Sequence, residues 1–356
     1  MAYHLHLNEA EDALILLDQT LLPGRESFLE IRTPDALFEA IYSLRVRGAP
    51  AIGMAAALGM AVFCRSYPQE VEAFLRRFRA DAAKLNAARP TAVNLSWALN
   101  QLQRTLEACA AEAGCTVPRL RALCLEEARR ICAEDECSCK RLGEYGLSLL
   151  RPGDGILTHC NAGELAASRY GTALAPILLG KERGIDFRVF ADETRPLLQG
   201  ARLTAYELNR AGVEVTLICD NMASAVMKNG WIQACIVGCD RVAANGDTAN
   251  KIGTSGVAIL ARHYGIPFYV MCPTSTIDLS CESGAQIVIE ERDSAEISSM
   301  HYAEPKAPKG VRCYNPAFDV TDGELITAIV TEYGICRPPY AQSLVQVFEK
   351  AQKGLK

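Results

Sequence analysis

The sequence predicts an α/β protein whose C-terminal part is a Rossmann-like parallel sheet and whose N-terminal part is mainly helical. After residue 153, short apolar runs rich in β-branched residues alternate with helical stretches, a pattern typical of βαβ units. Before residue 150, helical periodicity dominates. Because 356 residues exceed one typical domain, we expect two domains, residues 1–150 and residues 151–356.

The composition narrows the class of function. The net charge is −5 without any basic block, which argues against nucleic acid and leaves a small molecule as the expected partner. The 15 cysteines are irregularly spaced and the N-terminus has no charged-then-apolar leader, so we expect the reducing cytoplasm. The longest weakly polar run, residues 48–64, falls short of the ~20 residues that span a bilayer. It should be a buried helix, and we expect no membrane association.

The N-terminal part is expected to begin with two short strands within residues 13–31, around a turn at Pro23 and Gly24. Five helices follow, and Arg89, Pro90 and Thr91 separate the third helix from the fourth. The predicted helices span residues 34–44, 51–64, 70–87, 94–113 and 118–149.

Arg47, Gly48 and Ala49 stand just before the second of these helices. A guanidinium group beside free backbone amides at a helix N-terminus suits a phosphate group. An ordinary surface arginine before a turn would give the same pattern, so both interpretations stay open.

The C-terminal part is predicted to contain strands at 156–158, 187–191, 213–219, 234–237 and 267–271, and helices at 164–183, 197–211, 222–229 and 253–264. Reactive or ionisable residues follow each of the five strands. They are His159-Cys160-Asn161, residues 192–195, Asp220-Asn221, residues 238–241 and residues 272–276. Because ligands of open α/β sheets bind beyond the carboxyl ends of the strands, these residues predict one ligand site.

Cys160 and Asp240 are the candidate reactive groups at these strand ends. A helix starting near residue 164 would present unpaired backbone amides that stabilise a thiolate at Cys160, although a lone cysteine is often only a small buried residue. Asp240 follows an apolar strand and a glycine, where loss of solvent would favour the protonated acid needed for proton transfer. An ion pair between Asp240 and Arg241 is an equal alternative.

Other polar residues at these ends also have structural alternatives. Asn250 and Lys251 precede a glycine-rich turn and a helix, so Lys251 is either a phosphate or hydroxyl ligand or a solvated loop lysine. Asp192 and Thr194 stand before Pro196, and we expect them to cap a helix that starts there.

Three thiols lie close together in the sequence at Cys132, Cys137 and Cys139. The segment is helical in pattern and lacks a second pair of metal ligands. Free thiols on a helix surface are therefore the stronger interpretation, and we expect no metal.

Ordered motifs across essentially the whole chain carry a resemblance to a known family. They are RGAPAIG at 47–53, THCNAG at 158–163, DETRPLLQGARLTA at 192–205, GCDRV at 238–242, NKIGT at 250–254 and NPAFDVT at 315–321. They resemble the methylthioribose-1-phosphate isomerase branch of a larger family. That family also contains the regulatory subunits of the initiation-factor 2B exchange complex and the ribose-1,5-bisphosphate isomerases.

The resemblance implies a helical N-terminal domain on a Rossmann-like domain of the CoA-transferase-like type, a homodimer and no cofactor. It implies Cys160 and Asp240 as the catalytic pair. At Cys239 the sequence departs from the family pattern, in which small residues such as alanine are usual. The residues that the resemblance assigns to substrate binding are Arg47, Gly48, Ala49, Arg89, Gln199, Asn250 and Lys251.

The reaction that this resemblance implies is isomerisation of 5-methylthioribose 1-phosphate to 5-methylthioribulose 1-phosphate in methionine salvage. The reaction must open the furanose ring and move hydrogen from C2 to C1. It needs an acid for the ring oxygen, which suits Asp240, and a second group near C1 and C2, which suits Cys160. Proton transfer and hydride transfer both stay open. The alternatives are isomerisation of 5-deoxyribose 1-phosphate, then isomerisation of ribose 1,5-bisphosphate or a non-catalytic regulatory role.

Two further expectations concern specificity and assembly. Residues 271–280 and helix 51–64 offer apolar groups and hydroxyls but no Lys or Arg, a lining that suits an uncharged substituent at C5 of the sugar. Residues 322–355 are expected to form a tail of helix and loop after the last strand. An apolar face of this tail should contact the partner of a homodimer, and it comprises Leu325, Ile326, Ile329 and Val330.

Overall fold

The structure, a computed structural model, describes residues 3–89 and 93–354. The chain divides into two compact units. One comprises Met1–Ser138 with Glu164–Gly171, and the other comprises Cys139–Gly163 with Thr172–Lys356. The predicted division into domains at residue 150 stays a prediction, and the predicted interruption at Pro90 and Thr91 lies outside the described residues.

The first unit starts with a small antiparallel sheet of three strands in the order β1-β2-β3. The strands are β1 (Leu5–Leu7), β2 (Leu14–Leu17) and β3 (Phe28–Ile31). The two strands predicted within residues 13–31 are confirmed as β2 and β3. The sequence did not reveal β1, because three residues are too few to show a period.

All five helices predicted before residue 150 are present, and the last of them continues past Ser138 into the residues of the second unit. They are α1 (Pro34–Tyr42), α2 (Ala49–Phe63), α3 (Val71–Asn86), α4 (Val93–Ala110) and α5 (Val117–Leu147). Every residue of α2 from Ala51 to Phe63 is buried, and the small side chains allow close helix packing. A Cβ atom on Gly53 would lie 2.8 Å from the carbonyl oxygen of Asn94 in α4.

By length and apolar composition, residues Ala49–Ser66 could cross a membrane, but 78% of this stretch is buried inside the protein. It is a core helix, as the sequence predicted.

The second unit contains a sheet of seven strands in the order β14-β13-β10-β7-β4-β5-β6. All neighbouring strands are parallel except β13 and β14. The five predicted strands are confirmed, and the full set is β4 (Gly155–Thr158), β5 (Arg188–Asp192), β6 (Glu214–Ile218), β7 (Ala234–Val237), β10 (Phe268–Met271), β13 (Ala328–Thr331) and β14 (Gly334–Cys336).

The prediction for residues 322–355 was wrong in its first half. Ile329 and Val330 lie in β13, pair with β10 and are fully buried, and Ile326 is also buried. Their apolar side chains fill this unit's own core, so they form no face for a partner. The strand escaped notice because its apolar run is short and follows a stretch that reads equally well as a helix.

The helices around this sheet are mostly shorter than predicted. They are α6 (Ala175–Glu182), α7 (Ala205–Arg210), α8 (Ala223–Lys228), α9 (Thr254–Tyr264), α10 (Ala295–Ser298) and α11 (Tyr340–Gly354). The helix predicted at 164–183 was wrong over its first half. Only a 3₁₀ turn, Glu164–Ala166, forms there, and Tyr170 and Gly171 have positive φ angles of 76° and 71°, which a helix does not permit.

A second, four-stranded sheet in the order β11-β8-β9-β12 was not predicted. It contains β8 (Arg241–Ala243), β9 (Thr248–Lys251), β11 (Ile277–Asp278) and β12 (Phe318–Thr321). Its strands have two to four residues, and β9 reads TANK, which shows no apolar alternation. This sheet carries Asn250 and Lys251 at the end of β9.

Candidate active site

The ends of β4 and β7 bring the two candidate reactive groups to the same edge of the parallel sheet. The two strands are neighbours, with Ile156 paired to Ala234 and Leu157 to Cys235. Cys160 comes two residues after the end of β4 at Thr158, and Asp240 comes three residues after the end of β7 at Val237. Because parallel strands all end at the same edge, the predicted gathering of polar residues at this edge is confirmed.

Two buried threonines fix the main chain at Cys160. The backbone N–H of Cys160 donates to Thr194 Oγ1 at 2.8 Å, and the hydroxyl of Thr204 donates to the carbonyl oxygen of Cys160 at 2.6 Å. Thr194 Oγ1 in turn donates to the carbonyl oxygen of Asp192 at 3.0 Å. Cys160 is half-buried and has a φ of 67°, a conformation that non-glycine residues adopt at a cost. The turn is therefore held in place by side chains from outside it.

These contacts correct two expectations. No α-helix starts beside Cys160, since α6 begins only at Ala175, so helix amides do not stabilise a thiolate there. Asp192 and Thr194 do not cap a helix at Pro196. They have the structural role that the sequence suggested, but in building the Cys160 turn.

The residues after Cys160 are tied to the helix that follows β5. The Asn161 amide donates to the carboxylate of Glu207 and to Thr204 Oγ1, the latter at 3.2 Å. A Cβ atom on Gly163 would lie 2.4 Å from Glu207 Oε2, so a larger residue there would displace the carboxylate that binds Asn161.

His159 and Asp192 form a buried pair at the ends of β4 and β5. His159 Nδ1 lies 2.9 Å from Asp192 Oδ2, and both side chains are almost fully buried. Burial raises the pKa of Asp192 to about 6, although the hydrogen bond from His159 opposes this. Burial disfavours the charged ring of His159, but the hydrogen bond and charge of Asp192 outweigh it, so the pKa of His159 is raised. Both shifts favour the protonated form of their group.

Asp220, after β6, completes this set of groups. Its two carboxylate oxygens accept the backbone N–H groups of Thr194 and Arg195, each at 2.7 Å. Among the described residues, His159, Asp192 and Asp220 are the one group whose spacing could hold a metal ion. Both histidine nitrogens and both Asp220 oxygens are already in hydrogen bonds, so the donor set suits a protein network better than a metal.

Cys132, Cys137 and Cys139 all lie on α5, but they are not all exposed to solvent. Cys137 is exposed, Cys132 is half-buried and Cys139 is buried. Burial raises the pKa of Cys132 to about 12, which leaves its thiol protonated and unreactive.

Asp240 differs from the sequence-based expectation because its side chain is exposed. The burial that was expected around this side chain is therefore not observed. The backbone N–H of Asp240 donates to the carbonyl oxygen of Ala249 at 2.9 Å, which ties the strand end to β9. Arg241 makes its ion pair with Asp278, at 3.7 Å.

Asn250 and Lys251 are buried residues of β9 and not part of a solvated loop. The Asn250 amide donates to Thr254 Oγ1 at 3.1 Å, and that hydroxyl donates to the carbonyl oxygen of Lys251 at 2.6 Å. Lys251 Nζ lies 4.9 Å from the centre of the Phe318 ring. A buried ammonium group in this position is consistent with a ligand role and contradicts the solvated alternative.

Gln199 has an acceptor that no described residue satisfies. Its side chain is buried with 6% exposure, and Oε1 has no hydrogen-bond partner among the described residues. Buried polar atoms are nearly always paired in proteins, so this oxygen suits a donor from a bound molecule, such as a sugar hydroxyl.

The remaining predicted binding residues belong to the first unit. Gly48 precedes α2 with a φ of 94°, and a Cβ atom on it would lie 2.4 Å from the carbonyl oxygen of Ala166. No side-chain hydrogen bond caps α2, which begins at Ala49, so its first amides suit an anion. Arg47 and Arg89 are half-buried.

The apolar lining expected from residues 271–280 and helix 51–64 stays a prediction. Met271 is fully buried in the sheet core, and α2 fills the core of the first unit. Thr274 donates two hydrogen bonds to the carboxylate of Glu332, one from its hydroxyl at 2.5 Å and one from its backbone N–H at 3.0 Å.

The strand-end rule placed His159 and Asp220 at the site, but it did not reveal that they support the Cys160 turn. Thr204 was missed altogether. Thr204 lies 44 residues along the chain from Cys160, whose carbonyl oxygen it binds, and no local sequence pattern predicts such a bond.

Comparisons with known proteins agree with this architecture. A family model described as Initiation factor 2 subunit family matches residues 45–338. A methylthioribose-1-phosphate isomerase of Symbiobacterium thermophilum is 62% identical over 98% of this chain and 96% of its own length. A 5-deoxyribose 1-phosphate isomerase of Petrotoga mobilis is 57% identical over 96% of this chain and 98% of its own.

The crystal structure of 5-methylthioribose 1-phosphate isomerase from Pyrococcus horikoshii superposes with a TM-score of 0.92 at 40% identity. It covers 98% of this chain, and the match covers 96% of that structure. The chain therefore belongs to the Initiation factor 2 subunit family.

Proposed function

We propose that this chain is an aldose–ketose isomerase that converts 5-methylthioribose 1-phosphate to 5-methylthioribulose 1-phosphate, a step of methionine salvage. The observation that carries the proposal is a fixed thiol and a carboxyl group at neighbouring strand ends. Cys160 follows β4 and Asp240 follows β7, and these strands pair directly. A protein that only binds a ligand has no need of this pair, which disfavours a purely regulatory role.

The proposed chemistry gives each group a task. Asp240 acts as the acid that protonates the ring oxygen while the furanose opens. Cys160 stands beside C1 and C2, where hydrogen moves from one carbon to the other. Because Asp240 is exposed in this chain, we expect the bound sugar to bury it and so favour its protonated form.

The proposed binding residues suit one phosphate and several hydroxyls. Lys251 supplies a buried cation and Gln199 a buried acceptor, and Asn250 lies beside Lys251. Arg47, Gly48, Ala49 and Arg89 complete the set that the family resemblance assigns to the substrate.

The second candidate is isomerisation of 5-deoxyribose 1-phosphate, favoured by the Petrotoga mobilis relative at 57% identity. Steady-state kcat/KM for the two sugars and for ribose 1,5-bisphosphate separates the candidates. We expect the methylthio sugar to lead the deoxy sugar by about 10- to 200-fold, because one small apolar group contributes ~1–3 kcal/mol in a pocket. Preference for the deoxy sugar would select the second candidate. Preference for the bisphosphate would overturn the assignment.

We also propose a cytoplasmic homodimer that uses no cofactor and no metal and binds neither nucleic acid nor membrane. The dimer proposal rests on the family resemblance, since Ile326, Ile329 and Val330 of the tail are buried in the core. Exposed apolar side chains between β11 and β12 support an association surface, with Val288 at 92%, Val311 at 57% and Tyr314 at 77% exposure. A monomer at micromolar concentration in analytical ultracentrifugation would contradict the dimer, and stoichiometric zinc by elemental analysis would contradict the absence of metal.

A further inference from the structure

His159 connects the two turns that carry Cys160 and Lys251. It directly precedes Cys160, and its Nε2 lies 2.8 Å from the carbonyl oxygen of Ile252, the residue after Lys251. The ring also packs on Gly253, where a Cβ atom would lie 2.9 Å from His159 Cε1. Gly253 has a φ of 103°, so both its conformation and this contact require glycine.

The hydrogen bonds define where the protons of this ring lie. A backbone carbonyl oxygen only accepts hydrogen bonds, so Nε2 must carry a hydrogen. On the other side, a single proton lies between Nδ1 and Asp192 Oδ2, which are 2.9 Å apart. Asp192 Oδ1 is buried without a partner among the described residues, which favours an overall neutral pair. Asp192 therefore fixes the tautomer that lets Nε2 donate to Ile252.

We propose that His159 is a positioning residue for the isomerase reaction, whose Nε2–H holds the Lys251 turn at a fixed distance from the Cys160 turn. This inference rests on the proposed function. His159 is not assigned contact with the substrate. It affects the reaction only by fixing the positions of Cys160 and Lys251. Asp192 acts indirectly, by fixing the tautomer of the His159 ring.

The kinetic test uses four variants of the full chain. His159→Asn should lower kcat about 100-fold, the loss typical of a displacement of about 1 Å in a catalytic group. Asp192→Asn should keep kcat within about tenfold of the parent, because its amide can donate to Nδ1 and preserve the Nε2–H tautomer. Asp192→Ala should lose as much as His159→Asn. His263→Asn changes an exposed histidine on α9 and should leave kcat unaltered.

Equal activity of Asp192→Asn and Asp192→Ala, or more than half of parental kcat in His159→Asn, would overturn the inference. If His159→Asn does not fold, the two Asp192 variants and a spectroscopic measurement on the parent protein still test the inference. With ¹⁵N-histidine labelling, the chain's five histidines give few ring signals. We expect a protonated Nε2 at His159 and a downfield-shifted resonance for the proton that Nδ1 shares with Asp192. An unprotonated Nε2 would refute the inference. Absence of isomerase activity in the parent would refute the proposed function, while the spectra would still decide the role of His159.

Discussion

The ends of β4 and β7 are neighbours in one sheet, yet they hold their reactive side chains in different ways. At the end of β4, hydroxyls of two buried threonines bind both polar groups of the Cys160 backbone. At the end of β7, Asp240 is exposed to solvent. The fold thus sets the place of the thiol before any ligand binds, whereas the surroundings of the acid depend on what covers it. Hydrogen bonds can hold a side chain in position before a ligand binds, but the protonation state of an acid depends on how far it is exposed to solvent.

The largest effect should come from removing either reactive group. Cys160→Ser and Asp240→Asn should each lower turnover at least ~100-fold, because positioned acid–base groups typically contribute 10²–10⁴-fold. Circular dichroism and urea midpoints should match those of the parent. A variant that kept more than a tenth of parental activity would show that its residue has no catalytic role.

A smaller effect should follow from weakening the support of the Cys160 turn. Thr204→Val removes the hydroxyl that donates to the Cys160 carbonyl at 2.6 Å, and with it one of the two threonine bonds that hold this turn. We expect a loss of about 1–3 kcal/mol in unfolding free energy and a fall in turnover of about 10- to 100-fold. Thr204→Ser keeps the hydroxyl and is the matched control. Equal kcat in the two variants would mean that the turn needs no such support.

Much of this fold follows from the sequence. The helices of the first unit and five parallel strands were predictable because long periodic helices and β-branched apolar runs are strong local signals. The strand-end rule then located Cys160 and Asp240 without any structure. The missing elements had weak signals, such as the TANK segment of β9 and the short strand β13.

The residues that support the site, and the solvent exposure of its reactive groups, were less predictable than the reactive residues themselves. Thr194 and Thr204 bind the Cys160 backbone across 34 and 44 residues, and such long-range bonds leave no mark on neighbouring sequence. The exposure of Asp240 was missed for a related reason. An apolar strand before it describes the burial of the strand and not that of the residue beyond its end.

The buried pair at the β4 end predicts a dependence of stability on pH. The pKa values of Asp192 and His159 are both raised, so the folded chain holds more protons than the unfolded one. Their stabilising contribution is therefore complete at low pH and falls as the pH rises. The part due to Asp192 is lost between about pH 4 and 6, and the part due to His159 is lost above about 6.5. Carboxylates of Asp220 and Asp319 also face the ring.

Urea denaturation at several pH values measures this contribution as a difference between parent and Asp192→Asn. We expect the stability advantage of the parent to fall with rising pH by at most about 1.4 kcal/mol per pH unit for one proton. A difference that grew with pH would show that the folded pair binds fewer protons than the unfolded chain, against both pKa directions.

The smallest effect should come from Cys239→Ala, next to Asp240 at the other strand end. Cys239 Sγ lies 3.3 Å from Thr276 Oγ1, but that hydroxyl also donates to the carbonyl oxygen of Pro273 at 2.7 Å. Removing the thiol therefore leaves no buried donor unpaired, and the lost sulfur of a half-buried side chain should cost about 1 kcal/mol or less. Turnover should stay within about fivefold of the parent, since about 1 kcal/mol corresponds to about fivefold in rate. A tenfold loss, measured beside Thr204→Val, would mean that neighbouring side chains position Asp240 as firmly as Cys160. The contrast between the two strand ends would then be one of solvent exposure alone.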